Sequence, residues 1–215
     1  MPKVPVLVGI KKIKRPIFRT REAAACSCGS LSNTVQALNH LEKEGVVIKV
    51  ARGLWCLDMG AQKISQYSVI PFLLPRGRAY VSFLSALHLY GVIEQIPQSV
   101  ALASTTHTKA IRTKLGTFYV HKIAPEFFKG FDWYKGDGDF LIAEPEKALV
   151  DCLYLSAKKG KQFSYFPELR FPKSFSFKKA ENWIQQIPDS KARFYINKRL
   201  ERLRTENLSL TRIKT

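Results

Sequence analysis

The chain has 215 residues, 46% of them hydrophobic, and its 35 basic and 17 acidic residues give a formal net charge of +18 at pH 7. This length and apolar content predict one or two globular domains with a core, and the charge favours an anionic partner such as nucleic acid. An anionic membrane would also attract this charge, so the charge alone does not select nucleic acid. No run of about 18 apolar residues is present, which argues against a membrane-spanning helix, and we expect no membrane partner. The first residues carry their basic side chains after a short apolar segment, the wrong order for a signal peptide, so we expect a cytoplasmic protein.

The positive charge is concentrated towards the two ends of the chain. Residues 1–60 hold ten basic and four acidic side chains, residues 61–157 hold ten and eight, and residues 158–215 hold fifteen and five. The two ends are therefore the places where we expect contacts with phosphate.

Residues 20–57 predict two helices, a tight turn and a β-hairpin. Thr20 is a good N-cap for the first helix, and Gly29 is expected to break it. Ser30 or Ser32 would cap the second helix, and Gly45 would end it in the left-handed conformation. Apolar residues recur along the second helix at a spacing of three and predict one buried stripe: Val35, Leu38 and Leu41.

The opposite face of this second helix is polar. Asn33, Gln36, His40 and Lys43 lie opposite the apolar stripe, and Ser32 and Asn39 lie on its flanks. Asn and Gln can bind an adenine edge bidentately, and a serine at a helix start can help to hold a phosphate. A solvated surface without a ligand is the other interpretation of such a face.

The segment after the second helix favours the DNA-binding interpretation. Residues 46–50 and 54–57 are rich in β-forming residues and enclose a turn at 51–53, which predicts a hairpin with Arg52 at its tip. Arg52 would enter a minor groove or contact phosphate there. Two helices followed by such a hairpin predict a winged helix-turn-helix. The predicted DNA contacts are Ser32, Asn33, Gln36, Asn39, His40, Lys43, Lys49 and Arg52.

The rest of the chain predicts a second, mixed domain. Residues 61–78 are expected to connect the domains. Helices are predicted at 83–90, capped by Ser82, and from Pro145 to about Lys159, with strands at 100–103, 118–122 and 140–143 and a polar turn at 104–109. Two more helices are predicted at 178–187 and 191–204. The predicted fold class is α+β: a winged helix-turn-helix over 1–60, a connector over 61–78, an α/β domain over 79–205 and a disordered tail over 206–215.

The helix predicted at 191–204 is strongly basic. It offers additional phosphate contacts at Arg193, Lys198, Arg199 and Arg202, although basic terminal helices are often only solvated faces. An RNA-binding module that uses this helix is therefore a third, weaker hypothesis.

An enzyme is the main alternative to a binding protein. The carboxylates Asp137, Asp139, Glu144, Glu146 and Asp151 cluster in sequence near Lys147, as in a metal-dependent nuclease to which the winged helix would deliver nucleic acid. Helix-terminal electrostatics already explain Glu146 and Lys147, however, and Asp is common in Gly-rich turns such as 136–139.

No other catalytic or metal-binding pattern is present in the sequence. The four histidines lack ligand spacing, and a serine nucleophile elbow and a phosphate-binding loop are both missing. Cys26, Cys28, Cys56 and Cys152 form no C-x-x-C pair, which favours buried thiols over zinc ligands or disulfides. We therefore predict no enzymatic activity, no catalytic residue, no metal and no cofactor.

Several segments in a fixed order carry a family resemblance. They are Leu41-Glu42-Lys43-Glu44-Gly45, Arg52-Gly53-Leu54-Trp55, Tyr80-Val81-Ser82, Ser85-Ala86-Leu87, Tyr90-Gly91-Val92, Ile96-Pro97 and Glu144-Pro145-Glu146-Lys147-Ala148-Leu149-Val150-Asp151. With them, residues 17–155 resemble the AbiEi-type antitoxins of bacterial abortive-infection, type IV toxin-antitoxin systems, which are also transcriptional regulators.

The resemblance implies a two-domain protein with two roles. Its amino-terminal winged helix would bind inverted repeats in the double-stranded DNA of its own promoter. Its carboxy-terminal domain would counter a nucleotidyltransferase-like toxin without forming a stable complex with it. Symmetric promoter sites require two copies of the winged helix, so a dimer on DNA is expected.

Overall fold

The computed structural model describes residues 4–58, 64–74, 78–136, 139–159, 163 and 165–213. The fold is α+β with two sheets, as the sequence predicts at this level. The chain divides into two compact units, residues 1–73 with 112–116 and residues 74–111 with 117–215.

The first unit contains a three-stranded antiparallel sheet and a set of short helices. Its elements in chain order are α1 (Val6–Lys11), β1 (Ile17–Arg19), α2 (Thr20–Ser27), α3 (Leu31–Lys43), β2 (Val47–Ala51), β3 (Leu54–Leu57), a 3₁₀ turn (Gln66–Val69) and α4 (Ile70–Leu73). The strand order is β1-β3-β2, with Phe18 opposite Trp55 and Ile48 opposite Cys56. The two predicted helices and the hairpin are present, whereas α1 and β1 were not predicted.

The start of α2 differs from the prediction. Arg19, not Thr20, is the N-cap, and its backbone N–H donates to the Glu22 carboxylate at 2.7 Å. Thr20 is the first helical residue, and its hydroxyl accepts a hydrogen bond from the Trp55 indole at 2.9 Å. A buried indole N–H needs an acceptor, and Thr20 provides it instead of capping the helix.

A left-handed residue joins α2 to α3. Cys28, with φ 54° and ψ 32°, adopts the conformation that ends α2, one residue before the predicted breaker Gly29. Gly29 is constrained in another way, since a Cβ there would lie 3.3 Å from the Thr34 hydroxyl. The next helix, α3, begins at the Ser30 cap, whose side chain accepts from the backbone N–H of Asn33.

The end of α3 confirms the glycine prediction. Gly45 has φ +74°, and its N–H donates to the Glu42 carbonyl at 3.1 Å. The next N–H, from Val46, donates to the Leu41 carbonyl at 2.9 Å. This pair of bonds is a Schellman motif, which turns the chain from α3 into β2.

The core of the first unit lies between α3, α2, α1 and the sheet. Its buried members are Ile10, Phe18, Ala23, Leu38, Val47 and Trp55. The predicted stripe of α3 is only partly correct, because Val35 is 38% exposed, whereas Leu38 is buried and Leu41 is partly buried. Thr34, which is fully buried, takes the place predicted for Val35.

The second unit is built on a six-stranded mixed sheet with helices, although residues 112–116, at the β6–β7 turn, are grouped with the first unit. Its elements are β4 (Ala79–Val81), α5 (Phe83–Leu89), β5 (Val100–Ser104), β6 (Lys109–Thr113), β7 (Gly116–Lys122), a 3₁₀ turn (Pro125–Phe127), β8 (Phe131–Trp133), β9 (Leu141–Ala143), α6 (Pro145–Lys159), α7 (Phe177–Gln185) and α8 (Ser190–Ile213). The strand order is β6-β7-β5-β4-β9-β8. Strand β4 is antiparallel to β5 and parallel to β9, and β5 is parallel to β7.

The sequence predicted the longer elements of this unit and missed three strands. The strands near 100, 118 and 140 and the helices that follow Ser82, Glu144, Ser176 and Asp189 are present. Strands β4, β6 and β8 were not predicted; β4 and β8 have three residues each, and β6 has exposed or partly buried side chains throughout.

Residues 206–213, within the segment predicted as a disordered tail, are helical. Helix α8 continues to Ile213. Arg202 and Glu206 pair one turn apart at 2.8 Å, and pairs of this spacing favour the helix. Residues 214 and 215 lie outside the described residues.

None of the helices in the described ranges has both the length and the apolarity that crossing a bilayer requires.

Candidate nucleic-acid interface

The exposed face of α3 contains most of the residues predicted to contact DNA. Ser32, Asn33, Gln36, His40 and Lys43 are all exposed, and Asn39 is partly buried. Thr34 and Leu38, on the opposite side, are completely buried. Because a helix repeats every 3.6 residues, burying these two side chains directs the polar set to the solvent.

Two apolar residues lie on the exposed side of α3 and were missed as candidates. Leu31 is 50% exposed and Val35 is 38% exposed. The signal that could have located them is Thr34, whose hydroxyl donates to the Ser30 carbonyl at 2.8 Å. A threonine whose hydroxyl is bonded within its own helix can be buried. The buried side of α3 therefore contains Thr34 and Leu38, and Val35 lies at its exposed edge.

The polar side chains of α3 differ in how much of their bonding capacity is already used. The His40 ring lies 3.2 Å from the Glu44 carboxylate, one turn along the helix. Lys43 makes no ion pair with any residue that the structure describes. Gln36 and Lys43 are therefore more available to a ligand than His40.

The β2–β3 turn presents Arg52 to solvent. Gly53 follows it with φ +72°, and the Gly53 carbonyl accepts from the Thr20 N–H at 3.1 Å. This bond fixes the turn to the first residue of α2. Arg52 is exposed and makes no ion pair within the described part of the chain.

Lys49 has a different environment from the one predicted. Its ammonium lies over the Trp55 ring, 5.4 Å from the centroid, and its backbone N–H donates to Glu42 at 3.3 Å. A cation over an indole face is favourable, so part of the bonding capacity of Lys49 is used inside the unit. Lys49 is a residue of strand β2 and not of the turn that contains Arg52.

Several charges of the first unit are compensated within it. Arg15 pairs with Glu22, and Arg19 donates to the Phe72 carbonyl at 2.9 Å. A hydrogen bond from Lys114 at 2.8 Å lowers the pKa of the Glu42 carboxyl below its usual range. The ion pair with Lys114 thereby compensates the negative charge of the Glu42 carboxylate.

The cysteines are only partly as predicted. All four are free thiols, but Cys28 is exposed and Cys26 is partly buried. Cys28 is exposed because it occupies the left-handed turn position after α2. Cys56 and Cys152 are buried, and burial raises the pKa of the Cys56 thiol to about 11 and that of Cys152 well above its usual value. Both buried thiols therefore remain protonated near neutral pH.

The basic residues predicted on α8 fall into two groups. Lys198, Arg199 and Arg202 line one groove of the second unit, and Arg193 is outside its lining. Arg199 donates to the Ser156 hydroxyl at 2.5 Å and to the Phe163 carbonyl at 3.3 Å. Arg193 donates to the Gln185 carbonyl at 3.4 Å.

The carboxylates that the nuclease hypothesis groups together have separate partners in the structure. Asp151 is fully buried on α6 and pairs with Lys147, which is also fully buried. The Tyr80 hydroxyl donates to Asp151 at 3.1 Å and accepts from Lys147 at 3.0 Å, and the Ser82 hydroxyl donates to Asp151 at 2.7 Å. The Lys147 ammonium also lies 3.8 Å from the centroid of the Phe127 ring.

Burial dominates the electrostatics of this network. It lowers the pKa of Lys147, and the adjacent Asp151 opposes that shift. Burial, together with Asp151, raises the pKa of the Tyr80 phenol, so the phenol stays protonated and acts as a donor. A charged pair with its remaining bonds satisfied is a structural anchor between α6 and β4.

Glu144 and Glu146 are also engaged in contacts within the unit, whereas Asp139 is exposed. Glu144 accepts from the Trp183 indole and pairs with Lys179 at 2.6 Å, and Glu146 accepts from the Ser176 N–H at 2.9 Å. Asp137 lies outside the described residues. Among all the residues that the structure describes, no three His, Cys, Asp or Glu side chains are arranged to hold a metal ion.

No protein-family model matches the chain, and a search of the curated proteins finds no match either.

The role of the buried pair can be tested by removing one charge. We expect Asp151→Asn to lower the free energy of unfolding by about 3–5 kcal/mol, because it leaves the Lys147 ammonium buried without a counter-charge. Urea unfolding followed by circular dichroism measures the change. Asp132→Asn, at an exposed position of β8, is the matched control and should change stability by less than about 0.5 kcal/mol.

The double variant Lys147→Met with Asp151→Asn provides a second measurement if the single variant does not fold, and its amide oxygen can still accept from the Tyr80 and Ser82 hydroxyls. It removes both charges and should be more stable than Asp151→Asn. A double variant that is less stable than Asp151→Asn, or an Asp151→Asn protein as stable as the natural chain, would contradict the anchoring role.

Proposed function

We propose that the protein is a DNA-binding transcriptional regulator whose first unit is a winged helix-turn-helix. In this proposal α2 and α3 are the helix pair, α3 is the recognition helix, and the β2–β3 hairpin is the wing. The observation that supports it best is the exposed face of α3, where uncharged hydrogen-bonding side chains occupy the side opposite buried Thr34 and Leu38. A helix of this kind fits the major groove, with its amino-terminal half against the base edges.

The polar side chains of α3 suit base recognition. Gln36 and Asn33 are exposed amides that can each bind an adenine edge with a donor and an acceptor. Ser32 and Asn39 would contribute single hydrogen bonds, and Lys43 would contact a phosphate or a guanine. His40, which is paired with Glu44, would contact the backbone.

Leu31 and Val35 extend this proposal to apolar contacts. They are four residues apart on α3 and share one side of the exposed face. The group in the major groove that attracts apolar side chains is the thymine methyl. We therefore expect these two residues to favour sites that contain thymine.

Arg52 would act as the contact of the wing, in a minor groove or on the backbone. Lys49, whose ammonium lies over the Trp55 ring, would add positive charge from the body of β2. The proposed target is an inverted repeat in the promoter of the protein's own gene, bound by two copies of the chain, with the protein located in the cytoplasm.

We also propose that the protein is the antitoxin of a type IV toxin-antitoxin system. This part of the proposal is supported by the resemblance of residues 17–155 to AbiEi-type antitoxins. The second unit would counter a nucleotidyltransferase-like toxin without a stable complex. We assign it no catalytic step, since Glu144, Glu146 and Asp151 are engaged in contacts within the unit.

The antitoxin role can be tested in cells. A nucleotidyltransferase-like gene next to this one should arrest growth when it is expressed alone, and co-expression of the full chain should restore growth. The two proteins should not co-purify. Unrelieved growth arrest would contradict the antitoxin role without affecting the proposal of DNA binding.

The DNA-binding role can be tested with two substitutions that should act differently. Gln36→Ala should weaken binding to the upstream duplex by about 1–3 kcal/mol and leave binding to a random duplex unchanged, because it removes a base contact. Arg52→Ala should weaken binding to both duplexes and reduce the slope of affinity against salt by about one, as expected for a phosphate contact. Fluorescence anisotropy at several salt concentrations measures both effects.

Gln185→Ala, an exposed glutamine change on α7, is the matched control and should bind both duplexes like the natural chain. The proposal fails if the natural chain binds its upstream region no better than a random duplex at physiological salt. It also fails if Gln36→Ala and Gln185→Ala have equal effects.

A further inference from the structure

A groove in the second unit has no role in the proposed function. It lies between α8 and the segment 165–171, and its volume is about 750 Å³. The groove is lined by aromatic and basic side chains, among them Tyr165, Tyr195, Lys198, Arg199 and Arg202. This volume is within the range of sites that hold small molecules or short segments of a polymer.

The two tyrosines of the groove are accessible to solvent. Tyr165 is 93% exposed and Tyr195 is 45% exposed. The Arg199 guanidinium lies beside two rings of the lining, 5.9 Å from the centroid of Tyr195 and 5.7 Å from that of Phe166. Exposed rings that stand beside cations are the arrangement that binds unpaired bases, which stack on the ring faces.

The charge of the groove is suited to phosphate. The Lys198 ammonium is exposed and makes no ion pair with any residue in the described ranges. Arg199 is held in place by Ser156 and Phe163. The two carboxylates of the lining are compensated, because Glu206 pairs with Arg202 at 2.8 Å and Glu168 pairs with Arg170 at 3.2 Å. Lys198 and Arg199 therefore supply the positive charge.

We propose that this groove binds single-stranded nucleic acid, with bases stacked on Tyr165 and Tyr195 and phosphates at Lys198 and Arg199. A duplex is a poor fit, because its bases are already stacked on one another and offer no free face to the tyrosines. The excess of fifteen basic over five acidic residues in 158–215 would attract the strand. This site is separate from α3 and does not depend on the proposed regulator role.

The test uses the full chain and two labelled probes, a 12-nucleotide oligo(dT) and a 12-nucleotide oligo(U), followed by fluorescence anisotropy. Tyr165→Ala, Tyr195→Ala and Lys198→Ala should each weaken binding by roughly tenfold, since one stacked base or one phosphate contact is lost. Tyr165→Phe should bind almost as well as the natural chain, because the ring remains. A difference between the probes shows whether the strand is DNA or RNA.

Two matched controls lie on the same helix outside the lining of the groove. Phe194→Ala removes another aromatic side chain, which is 75% exposed, and Lys191→Ala removes another exposed basic one. Both should bind within about twofold of the natural chain. The variant Gln36→Ala with Arg52→Ala should also keep single-strand binding, which separates this site from the proposed duplex interface.

Three results would overturn the proposal. The first is that neither probe binds the natural chain. The second is that the two control variants weaken binding as much as the groove variants, which would indicate non-specific attraction to a basic protein. The third is loss of single-strand binding only in the Gln36→Ala, Arg52→Ala protein, which would place the strand on the first unit.

Discussion

The burial of Thr34 and Leu38 determines which side chains of α3 meet the solvent. Leu38 is in the core with Phe18 and Trp55, and Thr34 can be buried beside it because its hydroxyl bonds to the Ser30 carbonyl. Helical geometry then leaves the opposite side exposed. The sheet, the Trp55–Thr20 hydrogen bond and the Gly45 turn together hold α3 in this rotation, and the proposed recognition of DNA depends on it.

A buried charged pair has the corresponding structural role in the second unit. Lys147 and Asp151 lie one turn apart on α6, and Tyr80 and Ser82 bring the β4 region to them. The network gives Asp151, which the sequence alone could assign to catalysis, a structural role. The groove beside α8 differs from this network, because its Tyr165, Tyr195 and Lys198 side chains are exposed and available to a ligand.

The sequence predicts the elements that have strong local signals. Helix α3 has a serine cap and a terminal glycine, α6 begins at Pro145, and the hairpin has a glycine in its turn, so each was located to within a few residues. Strands of three residues such as β1, β4 and β8 carry too few side chains to show a period, and their position depends on partners distant in sequence.

The candidate site was predictable for side chains whose exposure follows from helical period, such as Gln36 and Lys43. It was not predictable where tertiary contacts decide. The packing of Lys49 on Trp55 and the exposure of Val35 both depend on contacts formed only in the folded unit. The spacing of the apolar residues places Val35 in the stripe, because it does not show that the Thr34 hydroxyl is satisfied within its helix and can be buried.

The most direct test of the central claim, that α3 reads base edges, is a double-mutant cycle between the helix and the DNA. The affinities of the natural chain and of Val35→Ala are measured for a duplex that the protein binds and that contains thymine, and for the same duplex with deoxyuridine in place of thymidine. This replacement removes only the methyl groups from the major groove. We expect deoxyuridine to weaken binding of the natural chain by roughly fourfold or more, because each methyl group returned to water costs about 0.8 kcal/mol. We expect a smaller loss of affinity in Val35→Ala, which lacks the side chain that contacts the methyl group. An equal loss in both proteins, or no loss in either, would contradict the central claim.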